Sequence, residues 1–218
     1  MGIETVIFDL DGTIVDTEGL AASVIDRWAI NHQVSLQPGA HQHIAGVTWE
    51  KGLATLISHY RVNQSLEGAV VECLRGYRSS LLIQIKVIPG VLAAIESLSK
   101  KMPLGLVSGS HREDIEAILA SLKIREKFEV VLGCEDYEES KPSPSGFLKA
   151  MKLMKASCHS TLIFEDSKPG ISSALAAGAW VTAVAVANHF GHDQSQAHCL
   201  VQDFSEVNLQ WVQNWKRS

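Results

Sequence analysis

The chain has 218 residues, 46% of them hydrophobic, enough for one large domain or two modest ones with an ample core. Net charge is −5, from 19 basic and 24 acidic residues without a long run of either sign, so a basic footprint for nucleic acid is missing. No apolar stretch approaches the length of a membrane span, and the chain enters an apolar run at once with no signal-peptide pattern. The four cysteines form no CxxC pair, so reduced and mostly buried thiols in a cytoplasmic protein are expected.

The first apolar run, residues 6–8, reads as a buried strand, and Asp9 and Asp11 follow it at alternate positions ahead of Gly12-Thr13. Alternate residues of a strand point to the same side, so the two carboxylates are expected to converge. Paired acids repel unless a cation neutralises them or one keeps its proton. An Asx turn is the structural alternative for the same dipeptide.

Residues 17–88 are expected to be helical throughout. Leu20, Val24 and Trp28, then Leu53, Leu56, Ile57 and Tyr60, then Leu66, Val70, Leu74, Tyr77 and Leu81 keep the spacing of helix faces, and no strand interrupts them. Such an insertion can simply pack, or it can form a lid over the carboxyl ends of the strands and exclude water.

From Pro89-Gly90 onward the pattern alternates. Helical faces at Val91 to Leu98, Ile115 to Leu122, Phe147 to Met154 and Ile171 to Leu175 separate strands expected at residues 104–107, 130–132, 162–164 and 180–186. Strands alternating with helices imply an α/β fold, a parallel sheet with a helical layer on each face.

The strand ends carry the polar residues. Ser108-Gly109-Ser110 opens a helix, either as a plain N-cap or as a phosphate site. Lys141 precedes the stiff turn Pro142-Ser143-Pro144. Glu165-Asp166-Ser167 repeats the acidic pattern of Asp9 and Asp11, although Asp166 could also serve as a helix cap. Four carboxyl groups beside one lysine call for a metal, and hard oxygen ligands suit Mg²⁺ rather than zinc.

In order and spacing, Asp9-Leu10-Asp11-Gly12-Thr13, Ser108, Lys141-Pro142 and Glu165-Asp166-Ser167 with Gly170 resemble the four motifs of the haloacid dehalogenase superfamily. The helical insertion resembles the cap of its β-phosphoglucomutase and sugar-phosphate phosphatase branch. The resemblance implies a three-layer Rossmann-like core from residues 1–16 and 89–218, and a helical cap domain from residues 17–88. It implies Asp9 as nucleophile, Asp11 as acid and base, and Ser108 and Lys141 as holders of the transferring phosphoryl group. Gly12, Thr13, Gly109 and Ser110 would line the substrate site, with Trp49 reaching it from the cap. Mg²⁺ would be held by Asp9, the Asp11 carbonyl and Asp166, with Glu165 in support. A small phosphorylated metabolite is the implied partner, with no nucleic acid or membrane, for a monomer or small homo-oligomer.

Three positions depart from the mutase pattern or the family's commoner form. The cap loop reads Gly46-Val47-Thr48-Trp49, where the mutases carry Gly-Val-Ser-Arg. Ala21 stands where they have histidine, and Ser145 stands where an aspartate is common in the third motif. The first two departures make a Mg²⁺-dependent phosphatase of a sugar or polyol phosphate the expectation, ahead of a phosphosugar mutase, whereas Ser145 changes a helix cap with little effect on chemistry. A phosphonate-cleaving enzyme would need a cap lysine, for which Lys51 and Lys86 are the candidates. A non-catalytic phosphate-binding protein would have no need of the acids.

Overall fold

The computed structural model describes residues 2–44, 47–81 and 85–215. Gly46, first residue of the cap-loop motif, lies outside them.

Six short strands form one parallel sheet: β1 (Thr5–Phe8), β2 (Leu104–Val107), β3 (Val130–Leu132), β4 (Thr161–Glu165), β5 (Trp180–Val184) and β6 (Cys199–Val201), in the order β3-β2-β1-β4-β5-β6. β1, β2 and β4 are buried along their whole length, which is why they read as unbroken apolar runs. Alternate residues feed opposite layers. Phe8, Leu104, Leu106, Leu162 and Phe164 face α4 (Val91–Ser99) and α5 (Arg112–Ser121), while Ile7, Val107, Ile163 and Val181 face α6 (Ser145–Leu153) and α7 (Lys168–Ala176). Phe8 stacks on Phe164 across the β1–β4 pair with ring centres 5.2 Å apart. This is the expected three-layer Rossmann-like core.

Chain order reverses between β1 and β4, and in sheets of this kind the crevice beyond the carboxyl ends at that reversal is where ligands bind. The Asp9 amide donates to the Phe164 carbonyl at 3.0 Å, so the residues that follow β1 and β4 are neighbours.

Between β1 and α4 lie α1 (Glu18–Asn31), α2 (Trp49–Tyr60) and α3 (Leu66–Leu81), with α3 packed against both of the others. Their shared interior includes Ile25, Trp28, Leu53, Leu56, Ala69 and Cys73; of the positions expected to form the helix faces, Trp28, Leu53, Leu56, Tyr77 and Leu81 are buried, while Leu20, Val24, Val70 and Leu74 are only partly so. The segments entering and leaving this unit run side by side, with the Asp16 amide donating to the Lys86 carbonyl at 2.7 Å and the Ile88 amide to the Ile14 carbonyl at 3.0 Å. They therefore hold the three helices above the carboxyl end of β1.

Three details differ from expectation. β6 gave no sequence signal because it is three residues at the sheet edge, with Leu200 57% exposed. β5 ends at Val184 rather than Val186. Only Cys73 is buried; Cys134, Cys158 and Cys199 are partly exposed, and all four are free. The C-terminal helix α8 (Leu209–Gln213) ends before Trp215, which packs on Trp180 with ring centres 5.2 Å apart. Among the described residues no helix is long and apolar enough to cross a membrane.

Candidate active site

The β1 and β4 strand ends bring Asp9, Glu165 and Asp166 together, with one carboxylate oxygen from each within 4.8 Å of the others and all three buried. Lys141 reaches in from the loop before α6. Its Nζ donates to Asp9 Oδ1 and to Glu165 Oε1, both at 2.5 Å, and its side chain is only 4% exposed.

Glu165 is fully committed. Beyond Lys141, its Oε2 accepts from the Asp166 amide, the Ser167 amide and the Ser167 hydroxyl at 2.9, 2.9 and 3.0 Å. Ser167 caps α7, its hydroxyl accepting from the Gly170 amide at 3.1 Å. Asp166 is thereby freed from capping, and its carboxylate receives no hydrogen bond from any described residue. Gln194 instead anchors the Asp166 carbonyl at 2.6 Å.

Charge in this pocket is out of balance. Burial pushes the Asp9 carboxyl well above its ordinary value; Lys141 pulls it back, while Glu165 and Asp11 push it further up. Burial also raises Asp166, and the Glu165 and Asp9 charges add to the effect. Burial opposes the charge on Lys141, but Asp9 and Glu165 outweigh it and hold the ammonium above its usual value. Three carboxylates against one ammonium leave negative charge that a divalent cation is suited to meet. Asp9 and Asp166 have the spare oxygen lone pairs for it, and the donor set is all oxygen.

Asp11 does not join this cluster as expected. Its Oδ1 accepts from the Thr17 and Tyr77 hydroxyls at 2.6 and 3.4 Å, and its Oδ2 from Ser110 and Ser108 at 2.7 and 3.1 Å. Neither serine caps α5, whose N-cap is His111. A hydroxyl can turn from donor to acceptor, so the same partners suit Asp11 either with or without its proton.

A cavity open to solvent lies between the strand ends and the helical unit. Asp9, Asp11, Gly109, Ser110, Asp166 and Trp49 line it. Trp49 meets Tyr77 edge to face at 5.4 Å, so it packs one side of its ring and leaves the rest to the cavity. Ser108, Lys141 and Glu165 stand behind this wall. Gly12 is also behind it, with φ +80°, and any Cβ there would collide with the Asp166 carboxylate. Thr13 is fully buried, its hydroxyl has no hydrogen-bond partner among the described residues, and it does not line the cavity. Lys51 and Lys86 are turned elsewhere, to the Lys141 carbonyl and to Asp16.

Gly170 has a related steric role, since a Cβ on it would overlap the Glu165 carboxylate. Gly170→Ala is expected to displace Glu165 from Lys141 and to cost about 1–3 kcal/mol, a typical overpacking cost. Urea unfolding checks the loss, and an unchanged midpoint contradicts the arrangement.

Glu18 is a cavity residue that the sequence did not announce, because an acid in the first turn of a helix usually just complements the helix dipole. It is buried, its Oε2 accepts from the His189 amide at 3.0 Å, and its Oε1 meets the hydrogen-bond geometry with no described residue. Burial lifts its pKa from the usual 4.5 to about 7. A raised carboxyl pKa means stability present below the unfolded value and lost as pH climbs through the folded one. Glu18→Gln removes that loss, so its stability relative to the natural chain is expected to rise between pH ~5 and ~8 by about 1–3 kcal/mol. Metal-free urea unfolding at the two pH values reads this directly; a difference independent of pH contradicts it.

The doubly wound α/β sheet gathers three buried carboxylates and a lysine where its chain order reverses. The chain belongs to the haloacid dehalogenase-like hydrolases, whose family model matches residues 6–184. It is similar to the bifunctional riboflavin kinase/FMN phosphatase of Arabidopsis thaliana, 26% identical over 220 residues that cover 96% of this chain and 58% of that protein. The chain thus spans somewhat more than half of that relative. It is also similar to a phosphorylated carbohydrates phosphatase of Thermotoga maritima, 28% identical over 177 residues covering 81% of this chain and 82% of the relative. The β-phosphoglucomutase structure from Clostridium difficile shares the fold, with TM-score 0.82 and 22% identity over 97% of this chain and 96% of that one.

Proposed function

We propose that this hydrolase is a Mg²⁺-dependent phosphatase that removes phosphate from a small sugar or polyol phosphate. The observation that carries the reading is the buried Asp9–Glu165–Asp166 cluster beside Lys141, opening on a cavity whose opposite side holds Asp11. It is a phosphoric monoester hydrolase, as its relatives are named.

Asp9 attacks phosphorus in line with the ester oxygen, forming an aspartyl-phosphate as the phosphorus–oxygen bond to the leaving alcohol breaks. Asp11 gives that alcohol its proton and then takes one from the water that attacks the aspartyl-phosphate, releasing inorganic phosphate. Lys141 neutralises Asp9 and the transferring phosphoryl oxygens, with Glu165 orienting its ammonium. Ser108, Ser110 and the Gly109 amide offer donors on the other side. Asp9, the Asp11 carbonyl and Asp166 would hold Mg²⁺, which when bound supplies positive charge against the phosphoryl oxygens. The three helices above act as a lid that excludes water, making residues 17–88 a cap on a core of 1–16 and 89–218.

Among the described residues lining the cavity there is no Lys, Arg or His. A mutase must grip a second phosphate, and this wall offers no cation for it. The carboxylates, hydroxyls and the Trp49 ring suit a hydroxylated, singly phosphorylated substrate instead. The experiment is a panel of sugar and polyol phosphates assayed for Mg²⁺-dependent phosphate release, together with a hexose 1-phosphate supplied with its bisphosphate. Free phosphate is expected from both; accumulation of the 6-phosphate without phosphate release overturns the reading in favour of a mutase.

A further inference from the structure

A second group of metal-ligating side chains lies where the loop after β3 meets the start of α5, outside the carboxylate cluster. His111 Nδ1 is 2.6 Å from Glu135 Oε1 and 3.5 Å from Cys134 Sγ. One ligand atom from each of the three lies within 4.8 Å of the others. The other ring nitrogen, Nε2, is buried without a hydrogen-bond partner among the described residues, and it faces Glu50 Oε1 of α2 at 3.4 Å. The ring therefore stands between two carboxylates, Glu135 at Nδ1 and Glu50 at Nε2.

We propose that His111 Nδ1, Cys134 Sγ and the Glu135 carboxylate form a binding site for a divalent transition-metal ion of the Zn²⁺ type, with Glu50 orienting His111 from the helical unit. Metal–sulfur and metal–nitrogen bonds of about 2.3 and 2.0 Å at a tetrahedral angle put the two ligand atoms about 3.5 Å apart. That is the Cys134–His111 separation. Nitrogen and sulfur donors select such an ion over Mg²⁺. Glu135, whose other oxygen accepts from the Arg112 amide at 3.1 Å, is exposed, while His111 and Cys134 are partly so.

With a metal on Nδ1 the ring carries its proton on Nε2, where it meets Glu50, the usual outer carboxylate of a metal-bound histidine. The thiol proton passes to solvent as the sulfur–metal bond forms. In the metal-free chain burial, with Glu135 and Glu50 adding to it, pushes the Cys134 thiol up to about 12. Among the described residues the arginines of this region are engaged elsewhere, Arg112 by Asp136 and Glu116, and Arg78 by Glu113 and Asp114. The fourth position is left to water. Because Glu50 sits on α2 and His111 follows Ser110, an ion here fastens the helical unit to the core beside the cavity. The proposal is independent of the phosphatase reading.

The test is a Co²⁺ titration of the full metal-free chain, followed by absorption. One equivalent is expected to give a thiolate-to-cobalt charge-transfer band. The band should vanish in Cys134→Ser and in His111→Gln, and persist in Cys158→Ser and Asp9→Asn. Glu50→Gln should weaken binding about 10–100-fold. Absence of the band from the natural chain, or its survival in Cys134→Ser or His111→Gln, overturns the site. The His111 variant decides the matter if Cys134→Ser fails to fold.

Discussion

Asp9→Asn is expected to lower phosphate release by about 10⁴-fold or more, the scale of losing a covalent nucleophile. An amide oxygen carries no charge with which to attack phosphorus. The fold should survive, because Asn can still accept from Lys141 and because a neutral group suits the burial that already drives the Asp9 carboxyl toward its protonated form. The change in unfolding free energy is expected to stay within about 2 kcal/mol, as the lost attraction to Lys141 is offset by lost repulsion from Glu165. Turnover and urea unfolding of the same preparation separate the two effects. Full turnover in a folded variant contradicts the role of Asp9.

Lys141→Met is expected to cost both activity and stability. The lysine is buried between Asp9 and Glu165, so its removal leaves two carboxyl groups facing each other without a cation. Breaking such a buried arrangement from one side costs about 3–5 kcal/mol. Met fills the stem's volume, which confines the change to charge and hydrogen bonding. Mg²⁺ should return part of the stability, about 2.7 kcal/mol at a hundred times its Kd, because it replaces some of the missing positive charge. Turnover should remain depressed at least ~10³-fold with Mg²⁺ present, since the phosphoryl oxygens lose their ammonium. Unfolding midpoints with and without Mg²⁺ check the first point. A midpoint equal to that of the natural chain contradicts the electrostatic account.

What the sequence revealed follows from how local each feature is. Asp9, Ser108 and the Glu165-Asp166 pair each come directly after an apolar run, so the strand that positions them is visible in the same few residues. The sheet then collects them, since β1, β2 and β4 are neighbours. The helical unit was equally legible because its faces repeat at helical spacing. Asp11 was only partly so. Its partners Thr17, Tyr77, Ser108 and Ser110 come from three separate parts of the chain, and nothing local says that four hydroxyls will draw it away from Asp9. Glu18 looked like an ordinary first-turn acid, and its burial depends on His189, 171 residues away. β6 is too short and too exposed at the edge to leave an apolar signature.

The central claim is that Asp9 carries the phosphoryl group between alcohol and water. Its most direct test is to mix the enzyme with Mg²⁺ and a turned-over sugar phosphate, quench in acid within a turnover, and map the phosphoryl adduct by mass spectrometry. The account predicts an adduct on Asp9, lost on treatment with hydroxylamine and absent from Asp9→Asn. An adduct on a different residue, or steady phosphate release with no adduct at any quench time, would contradict it.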